Sequence, residues 1–206
     1  MTIEKQEPDN LLEKTVALFM RFGVRSVSMD DVAREAGVSK KTLYQHYGDR
    51  NGLVMAAVQY HLKGVEISCC GIFDEHKNPI DQLLGVSMYF HTMTRQINPN
   101  LFFELSKYFP QAWKLLTEHR LNFVQKQIRS NIDRGIELGL YRTDMNPDII
   151  AKIYICLIDL ILDEDRFSKS IYTFKELQKE IIYYHIHGIS TPKGIHHLNE
   201  KQLSHE

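Results

Sequence analysis

Residues Ser28–Tyr47, SMDDVAREAGVSKKTLYQHY, contain two short helical patterns separated by one glycine. Four apolar residues of the first pattern recur at the spacing of a single helical face: Met29, Val32, Ala33 and Ala36. Gly37 can adopt the positive φ that ends a helix at low cost. Ser39 can then cap the next helix with its side-chain oxygen. This stretch therefore predicts a helix, a tight turn and a second helix.

The second pattern predicts a short helix with one apolar side and one polar side. Leu43 and Tyr47 are four residues apart and point the same way, whereas Lys41 and Gln45 lie nearly opposite Leu43. The two shoulders of the polar side are Thr42 and Tyr44. A polar face on a helix held by its apolar side is what reading of the DNA major groove requires. The pattern predicts a helix-turn-helix, with an ordinary helical hairpin as the alternative.

A longer segment, residues 22–54, FGVRSVSMDDVAREAGVSKKTLYQHYGDRNGLV, resembles the N-terminal domain of the tetracycline-repressor (TetR) family. That family typically has F-x-x-x-G, then T-x-x-x-I-A-x-x-A-G-V-S-x-x-T-L-Y-x-H-F-x-x-K-x-x-L, and the similarity extends from about Leu11 to Leu62. The departures are Ser28 for threonine, Val32 for isoleucine, Tyr47 for phenylalanine, Arg50 for lysine, and the less usual Gly48 and Gly52. The resemblance implies a bacterial transcription regulator that binds DNA.

Positions within the motif assign roles on the second helix. Lys41 and Gln45 are the expected base readers, because lysine donates to guanine O6 and N7 while glutamine pairs with adenine N6 and N7. Tyr44 matches a family tyrosine that contacts phosphate or a thymine methyl group. Lys40 and Thr42 are expected to contact phosphate at the helix start, where backbone N–H groups also favour an anion.

Three further residues are expected at the edges of this DNA contact. Ser28 caps the first short helix, with Asp31 as its capping partner, and can also donate to phosphate. His46 matches a histidine that touches phosphate in related proteins, and packing is its alternative role. Arg50 is expected to hold phosphate from the start of the fourth helix.

The charge balance limits how the chain can attract DNA. The whole chain has 25 basic and 26 acidic residues, and residues 1–50 contain eight of each. A coat that binds DNA regardless of sequence needs a strong positive excess, so this composition argues against one. It favours a small set of phosphate contacts combined with base reading.

The whole chain is expected to be all-α, with an N-terminal three-helix helix-turn-helix DNA-binding domain at residues 1–50. Residues 51–206 are expected to form a C-terminal helical domain for ligand binding and dimerisation. About nine helices are predicted: 9–22, the two helices of the motif, 49–70, one from Asn78-Pro79, one from Asn98-Pro99, 110–138, one from Asn146-Pro147, and 173–187. The stretch from about Gly188 is expected to fray.

The resemblance implies a cavity for a small apolar or amphipathic molecule, chiefly between the fourth and seventh helices. Polar groups among large apolar ones would orient such a ligand. The candidates are His91, Thr92, Gln96, Phe103, Trp113, His119 and Phe123. A plain core role is the alternative for each of them.

The apolar pattern of the predicted eighth and ninth helices bears on whether the chain forms a dimer. Residues 149–162 are apolar nearly all round, and such a helix needs cover on every side. Both helices could be buried within a monomer. The resemblance implies instead a homodimer through about residues 147–163 and 173–187, which would place two reading helices on a near-palindromic operator.

Other kinds of site have little support. The three cysteines, Cys69, Cys70 and Cys156, form neither a disulfide framework nor a zinc-binding spacing. His185 and His187 are two apart and diverge on a helix. No cofactor, metal or catalytic residue is therefore expected. With no secretion signal and no membrane span, the chain is expected in a reducing cytoplasm.

The leading hypothesis is a repressor released from its operator by a small molecule, which would tilt the fourth helix and separate the two reading helices. The alternative is a DNA-bound scaffold whose C-terminal domain binds a protein partner. An enzyme would need converging titratable groups, which the sequence does not suggest.

Overall fold

The computed structural model describes residues 6–94, 97–161, 163, 166–168 and 170–203. These residues form eleven α-helices and one π-helical turn, and their only strand-like pairing is an isolated bridge between Tyr141 and Ser190. The all-α fold class predicted from the sequence is confirmed. None of the described helices combines the length and the apolar character needed to cross a membrane.

The first half of the chain contains α1 (Gln6–Phe22), α2 (Met29–Ala36), α3 (Lys40–Tyr47), α4 (Arg50–Glu75), α5 (Pro79–Thr94) and α6 (Leu101–Tyr108). The second half contains α7 (Pro110–His119), the π-helical turn (Arg120–Val124), α8 (Gln125–Glu137), α9 (Pro147–Leu160), α10 (Phe174–Ile189) and α11 (Pro192–Leu203).

The first compact unit comprises residues 6–67 and 97–119. Apolar residues from α1 to α4 form its core together with residues of α6 and α7, including Phe19, Val24, Val32, Leu43, Leu53, Leu105 and Ala112. Packing thus joins α6 and α7 to the helix-turn-helix, so this unit is larger than the functional domain predicted at residues 1–50. That functional boundary stays a prediction.

The second compact unit comprises residues 68–94 and 120–203. At its centre the buried amide of Asn131 donates to the Pro79 carbonyl oxygen at 2.8 Å and to Gln82 Oε1 at 2.9 Å. Tyr141 donates its hydroxyl to Asn131 Oδ1 at 3.2 Å. The polar groups are therefore paired with one another inside an apolar core, as buried polar groups must be.

The seventh helix predicted over residues 110–138 is interrupted. A π-helical turn at Arg120–Val124 separates α7 from α8, at the point where the chain passes from the first unit to the second. A π-helical turn adds one residue to a helical turn. Apolar periodicity over a long window does not reveal one added residue, so the sequence predicted a single helix.

The expectation that the chain frays after Gly188 is wrong for the described residues. Pro192–Leu203 forms α11, which starts with the Thr191 hydroxyl accepting from the Gly194 N–H at 3.3 Å. Leu198 is completely buried in the core of the second unit, and His197 Nε2 lies 2.9 Å from Asp81 Oδ1. Buried Leu198 and polar contacts such as that of His197 order a segment whose composition resembles a loop. This helix and the divided seventh helix account for the difference from the nine predicted.

Candidate nucleic-acid interface

The start of α2 is fixed by a reciprocal pair of hydrogen bonds. Ser28 Oγ accepts from the Asp31 N–H at 3.2 Å, and the Asp31 carboxylate accepts from the Ser28 N–H at 2.9 Å. This is the capping box expected from Ser28 and Asp31. The Ser28 hydroxyl also donates to Asp31 at 2.7 Å, and these bonds lower the pKa of the Asp31 carboxyl. A phosphate contact from Ser28 would compete with that bond.

The turn between α2 and α3 has the geometry predicted for it. Gly37 has φ +72°, and its neighbour Val38 donates an N–H to the Ala33 carbonyl oxygen at 3.0 Å. This left-handed position favours glycine. Ser39 then caps α3 by accepting from the Thr42 N–H at 3.0 Å. The two caps and the glycine set the angle between the helices.

The two sides of α3 are separated as the sequence predicts. Leu43 is fully buried in the core of the first unit, whereas Tyr44 is 44% exposed. Lys41 and Gln45 are also exposed. Neither Lys41 nor Gln45 has a hydrogen bond or ion pair within the described ranges, so both side chains are available to a ligand.

Lys40 and Thr42 already have partners at the start of α3. Lys40 Nζ lies 2.8 Å from Asp30 Oδ2, and both side chains are exposed. The Thr42 hydroxyl lies 2.7 Å from Ser39 Oγ. A phosphate group at this helix start would have to share these groups or replace their partners.

His46 is exposed rather than packed in the core. Its ring centroid lies 6.2 Å from that of Tyr47, which is half-buried against the first core. The alternative packing role for His46 is therefore not supported, and its phosphate contact stays a prediction.

Arg50, the first residue of α4, points its guanidinium at the backbone. Its Nη2 atom donates to the Val24 carbonyl oxygen and, at 3.0 Å, to the Arg25 carbonyl oxygen. The group also lies 5.8 Å from the Phe109 ring centroid. Arg50 thus has a structural role, because it connects α4 to the α1–α2 loop (Gly23–Val27). Its contact with phosphate stays a prediction.

The unusual Gly52 is explained by a close approach. Its N–H donates to Asp49 Oδ1 at 2.8 Å, so Asp49 caps α4. A Cβ atom at this position would overlap the Tyr47 carbonyl oxygen. Glycine is required here because the end of α3 lies directly against the first turn of α4.

The ligand candidates of the first unit differ in position. Phe103 is exposed, with Lys107 Nζ 5.1 Å from its ring centroid, and Trp113 packs against the core. His119 is nearly buried, and its Nε2 lies 3.2 Å from Glu66 Oε1. Burial lowers the pKa of His61, and the charge of His119 lowers it further. The sequence did not single out His61 or Glu66, because both lie outside any motif.

The candidates of the second unit are His91, Thr92 and Phe123. Thr92 is exposed and donates its hydroxyl to the Met88 carbonyl oxygen of its own helix at 3.0 Å. His91 and Phe123 are half-buried. Gln96 lies outside the described residues. These positions do not test whether the candidates form one site, so the ligand-binding set stays a prediction.

Sequence reasoning missed two residues of α6 that contact the α1–α2 loop. Glu104 Oε2 accepts the Arg25 N–H at 2.9 Å, and the Tyr108 hydroxyl accepts from Arg25 Nη1 at 3.1 Å. These contacts span 79 and 83 positions in the chain. No local pattern could have revealed them.

Comparison with known families agrees with this geometry. The family model described as "Bacterial regulatory proteins, tetR family" matches residues 11–57, which contain α2, α3 and the start of α4. The chain belongs to the TetR family. It is a DNA-binding transcriptional regulator of that family.

The relatives of this TetR-family protein are named as regulators of transcription rather than as enzymes. The transcriptional repressor KstR2 of Mycobacterium tuberculosis is 25% identical over 149 residues, 69% of this chain and 72% of KstR2. The transcriptional regulator YvaF of Bacillus subtilis is 25% identical over 184 residues, 87% of this chain and 94% of YvaF.

Solved structures share the fold of this TetR-family protein. A TetR-family regulator from Agrobacterium tumefaciens has a TM-score of 0.70 at 16% identity, covering 91% of this chain and 99% of its own. The reduced form of E. coli NemR has a TM-score of 0.74 at 14% identity, covering 91% and 98%. At these identities the likeness concerns the fold alone.

Proposed function

We propose that this protein is a homodimeric transcriptional repressor that binds a near-palindromic operator through α3 and is released by a small molecule. The observation that carries the proposal is the exposed polar face of α3, with Lys41, Tyr44 and Gln45 outward and Leu43 fully buried beneath it. Repression, rather than activation, is taken from the name of the relative KstR2.

Recognition would combine base reading with phosphate contacts. Lys41 would donate to guanine O6 and N7, and Gln45 would make the paired contact with adenine. Tyr44 would contact the backbone or a thymine methyl group. Phosphate contacts from Lys40, Thr42, His46 and the N-terminus of α3 would set the register of the protein on the duplex without specifying sequence.

Dimerisation is supported by apolar side chains that α9 and α10 leave exposed. Ile149 and Ile153 are both exposed and four residues apart on α9, so they lie on one helical face. On α10, Tyr184 is 73% exposed. Ile181 and Leu177 lie three and seven residues before it, on the same helical face, and both are half-buried. A two-fold interface would cover both faces and give the dimer two copies of α3.

Release would follow from a difference in ligand affinity between two conformations. A small apolar or amphipathic molecule would bind among residues drawn from the predicted set and favour a spacing of the two α3 helices that does not match the operator. A coupling free energy of about 1–3 kcal/mol would weaken DNA binding roughly 5–150-fold. Operator DNA would weaken ligand binding by the same factor.

The test is a binding titration against salt. Duplexes selected by the wild-type protein from a random pool, together with DNA from upstream of its own gene, supply the operator. Lys41→Ala and Tyr44→Ala are each expected to weaken operator binding by at least about 1 kcal/mol, roughly fivefold, because each removes a groove contact. Lys63→Ala, which removes an exposed positive charge from α4, is the matched control and should change little.

Two results would contradict the proposal in different ways. If tight operator binding survives both α3 substitutions, another surface reads the DNA. If the wild-type protein selects no sequence above background, the scaffold function with a protein partner replaces the repressor.

A further inference from the structure

The α1–α2 loop is the segment from which the helix-turn-helix starts. The loop, Gly23–Val27, leads directly into Ser28, the cap of α2. Because a tight turn at Gly37 joins α2 to α3, a change in the direction of this loop would reorient both helices. The contacts that fix the loop therefore matter for where α3 points.

A carboxylate of α6 holds the backbone of this loop. Glu104 Oε2 accepts the Arg25 N–H at 2.9 Å, and a hydrogen bond to a charged acceptor is stronger than a neutral one. Gly23 has φ +84°, and a Cβ atom there would lie 2.8 Å from the same oxygen. The carboxylate thus lies directly against the backbone at the first residue of the loop.

A tyrosine of α6 holds the side chain of the same loop. The Arg25 guanidinium lies 4.3 Å from the centroid of the Tyr108 ring, and its Nη1 donates to the Tyr108 hydroxyl at 3.1 Å. Stacking on the ring and the hydrogen bond act together on one side chain. Arg25 is therefore bound to α6 at both its backbone and its guanidinium.

Within the first unit, one further contact holds the loop and another holds the end of α1 that precedes it. Arg50 of α4 donates to the carbonyl oxygens of Val24 and Arg25. The Asn98 N–H, just before α6, donates to the Met20 carbonyl oxygen at 2.6 Å. The loop thus has backbone contacts to α4 and to α6, and α6 has a second attachment at the end of α1.

We propose that Glu104 and Tyr108 are positioning residues for operator recognition, which hold Arg25 and thereby fix the orientation of α3. The inference rests on the proposed function of α3 as the reading helix. Base contacts require side chains placed to within about 0.5 Å, whereas contacts with the phosphate backbone carry no sequence information directly and are available on any duplex. Loss of the α6 contacts would therefore reduce specific binding much more than non-specific binding.

The experiment uses the full chain with the selected operator and a scrambled duplex of equal length. Glu104→Ala and Tyr108→Ala are each expected to weaken operator binding at least about fivefold, with little change in scrambled-duplex binding or in the salt slope. Ser106→Ala is the matched control, since the one partner of its exposed hydroxyl among the described residues is the Phe103 carbonyl of its own helix. Glu104→Gln, which keeps an acceptor oxygen, should restore most of the affinity.

Hydrogen exchange separates positioning from a general loss of fold. Peptides covering residues 23–28 should exchange faster in both alanine variants, while peptides from α4 and α7 stay as protected as in the wild type. If Tyr108→Ala does not fold, Tyr108→Phe keeps the ring, removes the hydroxyl acceptor and is expected to show the same pattern more weakly.

The outcomes distinguish this inference from the proposed function. If Lys41→Ala weakens operator binding but the α6 variants bind like the wild type, the positioning role is wrong and α3 remains the reading helix. Equal losses on operator and scrambled DNA, or faster exchange throughout the first unit, would also overturn the positioning role. If the wild-type protein selects no operator, the proposed function fails first.

Discussion

Lys40 Nζ lies 2.8 Å from Asp30 Oδ2, so the first residue of α3 is ion-paired with the second residue of α2. The hydrogen bond to Asp30 raises the pKa of Lys40 above its usual value, and the negative charge of Asp30 raises it further. A DNA phosphate approaching the start of α3 would compete with that carboxylate. The pair therefore reduces the attraction that this helix start offers to DNA.

Asp30→Asn should strengthen DNA binding. The change frees the Lys40 ammonium and removes a negative charge from the interface, so affinity for both operator and scrambled duplexes is expected to rise roughly two- to fivefold at low salt. Fluorescence anisotropy over a salt series measures this. Glu35→Gln is the control, because it removes the same charge from an exposed position on α2 without freeing a lysine. An equal gain from both variants would mean that net charge alone is responsible.

Gly52→Ala should destabilise the protein, because the added methyl group overlaps the Tyr47 carbonyl oxygen between α3 and α4. We expect a loss of at least about 2 kcal/mol in the free energy of unfolding, measured with urea. Gly64→Ala tests the same substitution on the same helix where nothing lies within 4 Å of the new atom. It should stabilise by about 0.5–1 kcal/mol. A harmless Gly52→Ala would show that α3 and α4 are not in close contact.

Acid should destabilise the second unit through His185. This residue is buried against Tyr154, with ring centroids 4.5 Å apart, and burial lowers the pKa of its imidazole to about 4. The His185 imidazole takes up a proton near pH 6.5 in the unfolded chain but only near pH 4 in the folded chain. The free energy of unfolding therefore falls as the pH drops between these values. His185 contributes at most about 3 kcal/mol to this loss.

The measurement is urea unfolding of the wild type and His185→Leu at several pH values between about 7.5 and 4. As the pH falls, the free energy of unfolding should decrease less in His185→Leu than in the wild type, because leucine takes up no proton. His187→Leu, at an exposed position on the same helix, should leave the pH profile unchanged. Parallel profiles for the wild type and His185→Leu would place the acid sensitivity elsewhere.

Charges on the exposed faces of α9 and α10 should dissociate the proposed dimer. Ile153→Glu and Tyr184→Glu would each bury a carboxylate in an apolar interface, which is costly without a partner. Sedimentation equilibrium should show the mass of two chains for the wild type and of one chain for the variants. Ile67→Glu is the control, at a 66% exposed isoleucine of the first unit. A wild-type monomer, or variants that stay dimeric, would contradict this interface.

Local signals in the sequence were sufficient for the helix-turn-helix. Ser28, Gly37 and Ser39 each act through atoms within a few residues, so their caps and the left-handed turn could be predicted. The burial of Leu43 followed from helical periodicity in the same way. Such features depend on neighbours along the chain, and a single sequence contains that information.

Features that depend on distant partners could not be predicted. Arg50 was assigned to phosphate from its position in the motif, yet its guanidinium reaches the carbonyl oxygens of residues 24 and 25. Helix α11 resembled a loop in composition, and it is ordered by Leu198 and by the contact between His197 and Asp81. In each case the deciding partner lies more than 20 positions away in the chain.

The discontinuous first unit limits how parts of this protein could be exchanged with those of a relative. A chimaera joined at residue 50 would take α1 to α3 away from Glu104, Tyr108 and Phe109, which contact Arg25 and Arg50. The foreign helices would then rest on side chains selected for a different loop. A graft that includes residues 97–119 along with residues 6–67 keeps these contacts intact, so we expect operator preference to be exchangeable as two segments and not as one.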